Sequence, residues 1–226
     1  MTPDLPDLAP LIDHALLDPH QGREAIHRCC DEARHFGFAG VCVASRWVEA
    51  ARERLPLEGS GKGQAPKLIS VVGFPFGAVP AAIKRAEAEQ AAAAGADELD
   101  VVPDFGALAE GDGNAVLADL APICELGLPV KVILEVGRLE PEALELLVEV
   151  SIDAGARFLK TGSGFGPAVT AAQVGRLREL ARGRAAIKAS GGISSLELAY
   201  ALVEAGASRL GTSRGVVLMQ ALRSGA

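Results

Sequence analysis

The sequence predicts a (β/α)8 barrel, with residues 1–226 forming one domain. Three observations carry that expectation. Strand and helix signals alternate from one end of the chain to the other, the pattern of an α/β fold with a parallel sheet. Gly-Ala pairs recur ahead of three strands (Gly95-Ala96, Gly155-Ala156 and Gly206-Ala207), as a repeated helix-stop-then-strand unit would require. Finally, three short apolar strands each carry an ionisable residue near the C-terminal end: Asp100 in 97–102, Lys160 in 157–166 and Lys188 in 185–192. In (β/α)8 enzymes the catalytic residues stand at the ends of several different strands. A doubly wound open sheet is the competing architecture, but no G-x-G-x-x-G turn follows the first strand.

In chain order, the first strand spans 11–17 and is closed by Asp18-Pro19, and a helix over 23–36 stops at Gly37. A second strand covers 40–44 and a second helix 46–55. The stretch 57–66 (LEGSGKGQAP) reads as a surface turn, because its lysine among glycines lacks the spacing of a nucleotide-binding loop. The third strand, 67–74, runs into Gly-Phe-Pro-Phe-Gly, and Pro80 opens an alanine-rich helix over 81–94. Strand four is 98–102, followed by a helix over 114–126. Strand five is 129–136, with Lys131, Ile133 and Glu135 on one face, followed by a helix from Pro141 to about residue 154. Strand six carries Lys160 and precedes a helix over 170–182. Strand seven carries Lys188, and Ser194 or Ser195 caps the next helix. Strand eight is 209–213, and a last helix spans 214–222.

Composition narrows the function classes. With 226 residues, 49% hydrophobic and 23% charged, and a mean hydropathy of +0.25, the chain can bury one substantial core. A net charge of −7 and a pI near 5.2 argue against a nucleic-acid or anionic-membrane partner. No apolar run approaches the ~20 residues of a membrane span, and the N-terminus lacks a signal-peptide pattern, so a cytoplasmic protein is expected. Four cysteines without C-x-x-C spacing fit a reduced protein. The four histidines all fall in the first 35 residues and form no ligand pair, so neither a metal nor another cofactor is expected.

The chemistry sits at the strand ends. Asp13, Asp100, Lys131, Lys160 and Lys188 fall on strands one, four, five, six and seven, and if they share the inward parity they meet in one pocket. Two lysines within about 6 Å disfavour each other's protonation. A lysine that loses its proton is the nucleophile that forms a Schiff base with a carbonyl substrate. The iminium then acts as an electron sink, and a carboxylate such as Asp100 is suited to move protons through a water. The structural alternative is an ion network that holds the barrel interior together. Glycines give the other end of the substrate. Gly191 and Gly192 after strand seven, and Gly211 and Ser213 at strand eight, sit where barrels bind phosphate, and Gly164 adds to that cradle.

The stretches IDHALL, VCVASRWV, VVGFPFG, DELDVV, KVILEV, FLKTGSGFG, AIKASGGI and RLGTS, in that order over about residues 10–220, resemble the motifs of the deoxyribose-phosphate aldolases. The resemblance implies a metal-independent, Schiff-base aldolase that cleaves 2-deoxy-D-ribose 5-phosphate to acetaldehyde and D-glyceraldehyde 3-phosphate in deoxyribonucleotide catabolism. It further implies that Lys160 forms the Schiff base, that Lys188 lowers its pKa and that Asp100 shuttles protons with a water. Asp13, Cys42, Lys131 and Thr161 join the pocket, and the implied assembly is a homodimer or higher homo-oligomer. The chain departs from the family's pattern at Ala15, Gly162, Ser194 and Arg214. Where relatives carry a basic residue, Ser194 cannot supply a charge to the phosphate, and Arg214 is placed to compensate. Two other readings stand beside this one: a Schiff-base aldolase for another phosphorylated sugar, and a catalytically silent phosphosugar-binding barrel.

Overall fold

The computed structural model describes residues 6–55 and 65–224, so most of the surface turn expected over 57–66 lies outside the described residues. Eight parallel strands close into a barrel in sequence order: β1 (Ile12–Leu16), β2 (Gly40–Ala44), β3 (Lys67–Val72), β4 (Glu98–Val101), β5 (Val130–Ile133), β6 (Phe158–Lys160), β7 (Ala186–Ser190) and β8 (Arg209–Thr212). β8 pairs back onto β1, with Asp13 opposite Gly211. The expected (β/α)8 architecture is therefore the observed one, and the open-sheet alternative falls with the closure.

The described helices cover the outside: α1 (Arg23–Phe36), α2 (Val48–Arg52), α3 (Ala81–Ala93), α4 (Phe105–Ala109), α5 (Gly113–Cys124), α6 (Pro141–Asp153), α7 (Ala171–Ala181), α8 (Leu196–Ala205) and α9 (Gly215–Ser224). The aliphatic residues at one strand parity (Val41, Val43, Leu68, Leu99, Val101, Val132, Leu159, Ile187 and Leu210) are buried in the layer between strands and helices. The opposite parity faces the barrel axis. There it holds Cys42, Ile69 and Val71 on one side, and the charged residues of β1, β4, β5, β6, β7 and β8 on the other.

The recurring Gly-Ala pairs have a physical cause. Gly95, Gly155 and Gly206 adopt φ values of 100°, 98° and 119° just past α3, α6 and α8, a region open to glycine at little cost. In each case the following alanine donates its N–H to a carbonyl in the last helical turn (Ala91, Ser151 and Leu202, all 3.0 Å), which ends the helix and turns the chain into the next strand. Caps fix the other helix ends. Thr170 and Gln173 form a reciprocal capping box on α7, and Ser195, rather than Ser194, accepts the Leu198 N–H at the start of α8.

Some boundaries differ from the sequence expectation. The second helix begins as a 3-10 turn over Ser45–Trp47 and ends at Arg52. An unexpected short helix, α4, is capped by Asp104, whose carboxylate accepts the N–H groups of Gly106 and Ala107. Strand five stops at Ile133, not at 136. Glu135 lies at φ 54°, ψ 48° and starts a 3-10 turn over Val136–Arg138, so it is not on the inward row shared by Lys131 and Ile133.

One buried ion pair outside the barrel locks the turns at its C-terminal mouth. Lys84 of α3 is fully buried; its ammonium pairs with Asp119 of α5 and donates to the Val102 carbonyl at 3.2 Å. Asp119 also accepts the Asp104 N–H at 3.0 Å. Lys84→Ala should therefore leave an uncompensated buried carboxylate and lower stability by about 3–5 kcal/mol in denaturant unfolding. A loss below about 1 kcal/mol would show that the pair does not hold this corner.

Candidate active site

Asp100 lies fully buried on the barrel axis and receives three ammonium groups. Lys131 donates to Oδ1 at 2.9 Å, while Lys160 and Lys188 donate to Oδ2 at 2.8 and 2.7 Å. Strand register produces this convergence. Asp100 sits opposite Lys131 in the β4–β5 pair, Lys160 opposite Lys188 in β6–β7, and Lys188 opposite Arg209 in β7–β8. Residues opposite one another share a face, so four bases are delivered to one side of the axis. Because Lys160 and Lys188 share a single oxygen, their nitrogens are no farther apart than those two contacts laid end to end.

Two further carboxylates complete the network. Asp13 on β1 pairs with Lys188 at 2.7 Å and accepts from Arg209 Nε at 2.9 Å, and Glu98 on β4 pairs with Lys131 at 2.5 Å and with Arg209 at 3.4 Å. Burial raises the Asp100 pKa, but the charges of Lys131, Lys160 and Lys188 outweigh it and hold the carboxyl well below the usual range. The balance is the same for Asp13: burial opposes ionisation, while Lys188, Arg209 and Lys131 hold it below its ordinary value. Burial would strip the proton from Lys188, but Asp100 and then Asp13 override it and hold that ammonium above the usual lysine value. Burial also acts first on Cys42, together with the neighbouring Asp100 charge, and pushes its thiol up to about 11. Cys42 Sγ lies 3.9 Å from Asp100 Oδ2 as a neutral, weak donor.

Above this floor opens a cavity of about 480 Å3 at the C-terminal end of the strands. Among the residues expected from sequence, Cys42, Lys160, Gly164, Lys188, Gly191, Gly192, Gly211, Ser213 and Arg214 line it. Asp13 and Asp100 lie beneath, in contact with Lys188, and Lys131 lies there against Asp100. Thr161 takes no part in the wall, because the strand parity that turns Lys160 inward turns its neighbour outward. The Thr161 hydroxyl instead donates to the Ser190 carbonyl at 2.8 Å and accepts the Ser190 N–H at 2.8 Å, stapling β6 to β7.

The cavity wall opposite Gly164 is built from the turns after β7 and β8. Gly192 has φ 72°, and a Cβ there would lie 2.7 Å from that of Ala168. A Cβ at Gly211 would lie 2.9 Å from that of Ser190 and 3.0 Å from the Lys188 side chain. The Thr212 hydroxyl donates to the Ile193 carbonyl at 2.8 Å and accepts the Arg214 N–H at 2.9 Å, tying the two turns together. The Arg214 carbonyl accepts the Leu218 N–H at 3.0 Å, so this residue stands at the start of α9. Ser194, on the same wall, brings no charge.

The sequence reading missed several residues. Glu98 shares its parity with Asp100, and Arg209 opens β8 with the parity of Gly211, so both inward positions were available as signals. Ser190 follows Lys188 by two residues and lines the cavity. Ser163 and Glu135, which meet each other, had no local signal, because their contact depends on the left-handed backbone at Glu135. Among the described residues, no group of three or more His, Cys, Asp or Glu is placed to hold a metal ion, and no helix is long and apolar enough to cross a membrane.

No protein-family model matches the sequence. A deoxyribose-phosphate aldolase from Thermosynechococcus vestitus is 48% identical over 221 residues, covering 96% of this chain and 98% of its own. The deoxyribose-phosphate aldolase of Thermus thermophilus is 42% identical over 218 residues, covering 94% and 96%. Among solved structures, an aldolase named QR15 superposes with a TM-score of 0.89 at 34% identity, covering 96% of each chain. The tetrameric deoxyribose phosphate aldolase of Aeropyrum pernix gives 0.86 at 35% identity, covering 97% of this chain and 92% of its own. Near-complete coverage at these identities, on a barrel whose axis gathers three lysines around one aspartate, places the chain in the deoxyribose-phosphate aldolase family.

Proposed function

We propose that the protein reversibly cleaves 2-deoxy-D-ribose 5-phosphate to acetaldehyde and D-glyceraldehyde 3-phosphate through a Schiff base on Lys160, in the breakdown of deoxyribonucleotides. The observation that carries this reading is the sharing of one Asp100 oxygen by Lys160 and Lys188 at the cavity floor. Lys188 has two carboxylates against it, Asp13 and Asp100, and they hold its ammonium above the usual lysine value. Lys160 has one carboxylate contact and a place on the cavity wall, which suits it to act as the nucleophile.

The chemistry follows from those roles. The Lys160 amine adds to the aldehyde carbon of the open-chain sugar, and the resulting hydroxyl leaves as water after taking a proton from the Lys188–Asp100 pair. The iminium accepts the electron pair of the C2–C3 bond as the C3 hydroxyl loses its proton. That step releases D-glyceraldehyde 3-phosphate and leaves an enamine. Protonation at C2 and hydrolysis return the amine and release acetaldehyde. Asp100, ionised at rest, is the acceptor in this relay, with Lys188 as its immediate donor. A phosphorylated sugar fits the cavity, because the turns after β7 and β8 offer backbone N–H groups, the Ser213 hydroxyl and the Arg214 guanidinium at one end of it. Assembly into a homodimer or larger homo-oligomer belongs to the same reading. It is supported by exposed Val217 and Leu222 on α9 and by the tetrameric relative. A cytoplasmic setting is consistent with the chemistry of the substrate.

The direct test is a coupled assay for D-glyceraldehyde 3-phosphate. The protein should consume 2-deoxyribose 5-phosphate, and Lys160→Ala should lower kcat/KM by about four orders of magnitude or more. If the variant keeps more than a tenth of the activity, Lys160 is not the nucleophile; cleavage of a different phosphorylated sugar alone would shift the substrate. Arg214→Ala tests the phosphate end. Losing one charge-assisted contact costs about 1.5–3 kcal/mol, so KM for the phosphorylated sugar should rise about ten- to a hundredfold. Cleavage of unphosphorylated deoxyribose should hardly change. Equal KM values would mean that the backbone cradle holds the phosphate unaided.

A further inference from the structure

We propose that Glu135 is a positioning residue for this reaction, holding the loop after β6 as the wall of the reaction cavity. The inference rests on the aldolase reading above and deepens it. Glu135 and Arg182 are the two non-glycine residues with positive φ among those described, and a glutamate gains nothing locally from that conformation. Its side chain explains the placement. Ser163 N–H donates to Glu135 Oε1 at 3.1 Å, and the Ser163 hydroxyl donates to Oε2 at 2.5 Å. The Ser163 hydroxyl in turn accepts the Phe165 N–H at 3.0 Å. From the same turn, Arg138 donates to the Phe165 carbonyl at 3.3 Å.

The glycines around the carboxylate are fitted to it. A Cβ at Gly162 would lie 2.6 Å from Glu135 Oε1, and one at Gly166 would lie 2.9 Å from the same oxygen. The loop over 162–166 thus wraps the carboxylate with bare backbone on both sides. It starts two residues beyond Lys160, and its members Ser163, Gly164 and Phe165 line the reaction cavity. The latch engages the N–H groups of 163 and 165, and not that of Gly164 between them. Phe165 is also the shared wall with a second cavity of about 420 Å3, lined on its far side by Phe105, Leu108 and Leu139. Releasing the latch would let the loop move toward that cavity and open the site beside the Schiff-base nitrogen. The part of the substrate beyond the bond that breaks would lose its wall, whereas the two-carbon donor, held at Lys160, would not.

The test compares Glu135→Ala, Glu135→Gln and Ser163→Ala with wild-type protein. Glu135→Ala should raise KM for 2-deoxyribose 5-phosphate about tenfold or more, with kcat falling less, while borohydride trapping of acetaldehyde on the protein proceeds at the wild-type rate. Glu135→Gln should restore most of the affinity, because its amide can accept the Ser163 N–H through one atom and meet the hydroxyl with the other. Ser163→Ala should reproduce part of the KM effect, and adding it to Glu135→Ala should cost nothing more. A KM within twofold of wild type for Glu135→Ala would overturn the proposal. So would a Glu135→Gln variant as impaired as Glu135→Ala, or losses that track reduced thermal stability alone. Failure of the wild-type protein to cleave the sugar would instead count against the aldolase reading itself.

Discussion

The barrel interior depends on one carboxylate. Asp100 is fully buried, and three ammonium groups converge on its two oxygens. Removing it would leave Lys160 without its carboxylate partner, and Lys131 and Lys188 with Glu98 and Asp13 alone. The surrounding charges are arranged in the same sense. The groups along the axis are three buried carboxylates (Asp13, Glu98 and Asp100) against three buried lysines (Lys131, Lys160 and Lys188) and the partly buried Arg209. Arginine keeps its proton, so among these bases only a lysine can supply a nucleophilic amine. The arrangement that balances charge inside the barrel also sets Lys160 and Lys188 at the cavity floor.

The pH behaviour follows from the same contacts. Asp100 and Asp13 lie below the ordinary carboxylate value of 3.8, so the stability they contribute is in place above that value and is lost as pH falls through their folded values. Lys188 lies above the ordinary lysine value of 10.5, so its contribution is in place below that value and is lost only on the alkaline side. Between those limits Asp13, Asp100 and Lys188 keep their charges.

Much of this was legible in the sequence, for reasons that particular residues show. Glycine followed by alanine at a helix end marks a left-handed turn into a strand, and the pairs at 95, 155 and 206 all behave so. An ionisable residue inside a short apolar strand stands out because burial makes it costly, which is how Asp100, Lys160 and Lys188 were found. What escaped depended on pairing across the closed sheet. Arg209 looks like the polar start of a strand until register sets it beside Lys188 and against Asp13. Glu135 reads as the last inward residue of strand five, but the strand ends two residues earlier and the glutamate turns to meet Ser163. Thr161 follows Lys160 at the strand end, yet parity sends it to Ser190. Neither helix α4 nor the Lys84–Asp119 pair had a periodic signal, since each is defined by a tertiary contact of a single side chain.

The central claim is that Lys160, drawn from a shared carboxylate beside a firmly charged Lys188, is the residue that bonds covalently to substrate. The measurement that addresses it most directly is reduction with borohydride in the presence of acetaldehyde, followed by peptide mapping. The account predicts one ethyl group, carried on the peptide containing Lys160. A label on Lys188 or Lys131, or no label on protein that is cleaving the sugar, would contradict it.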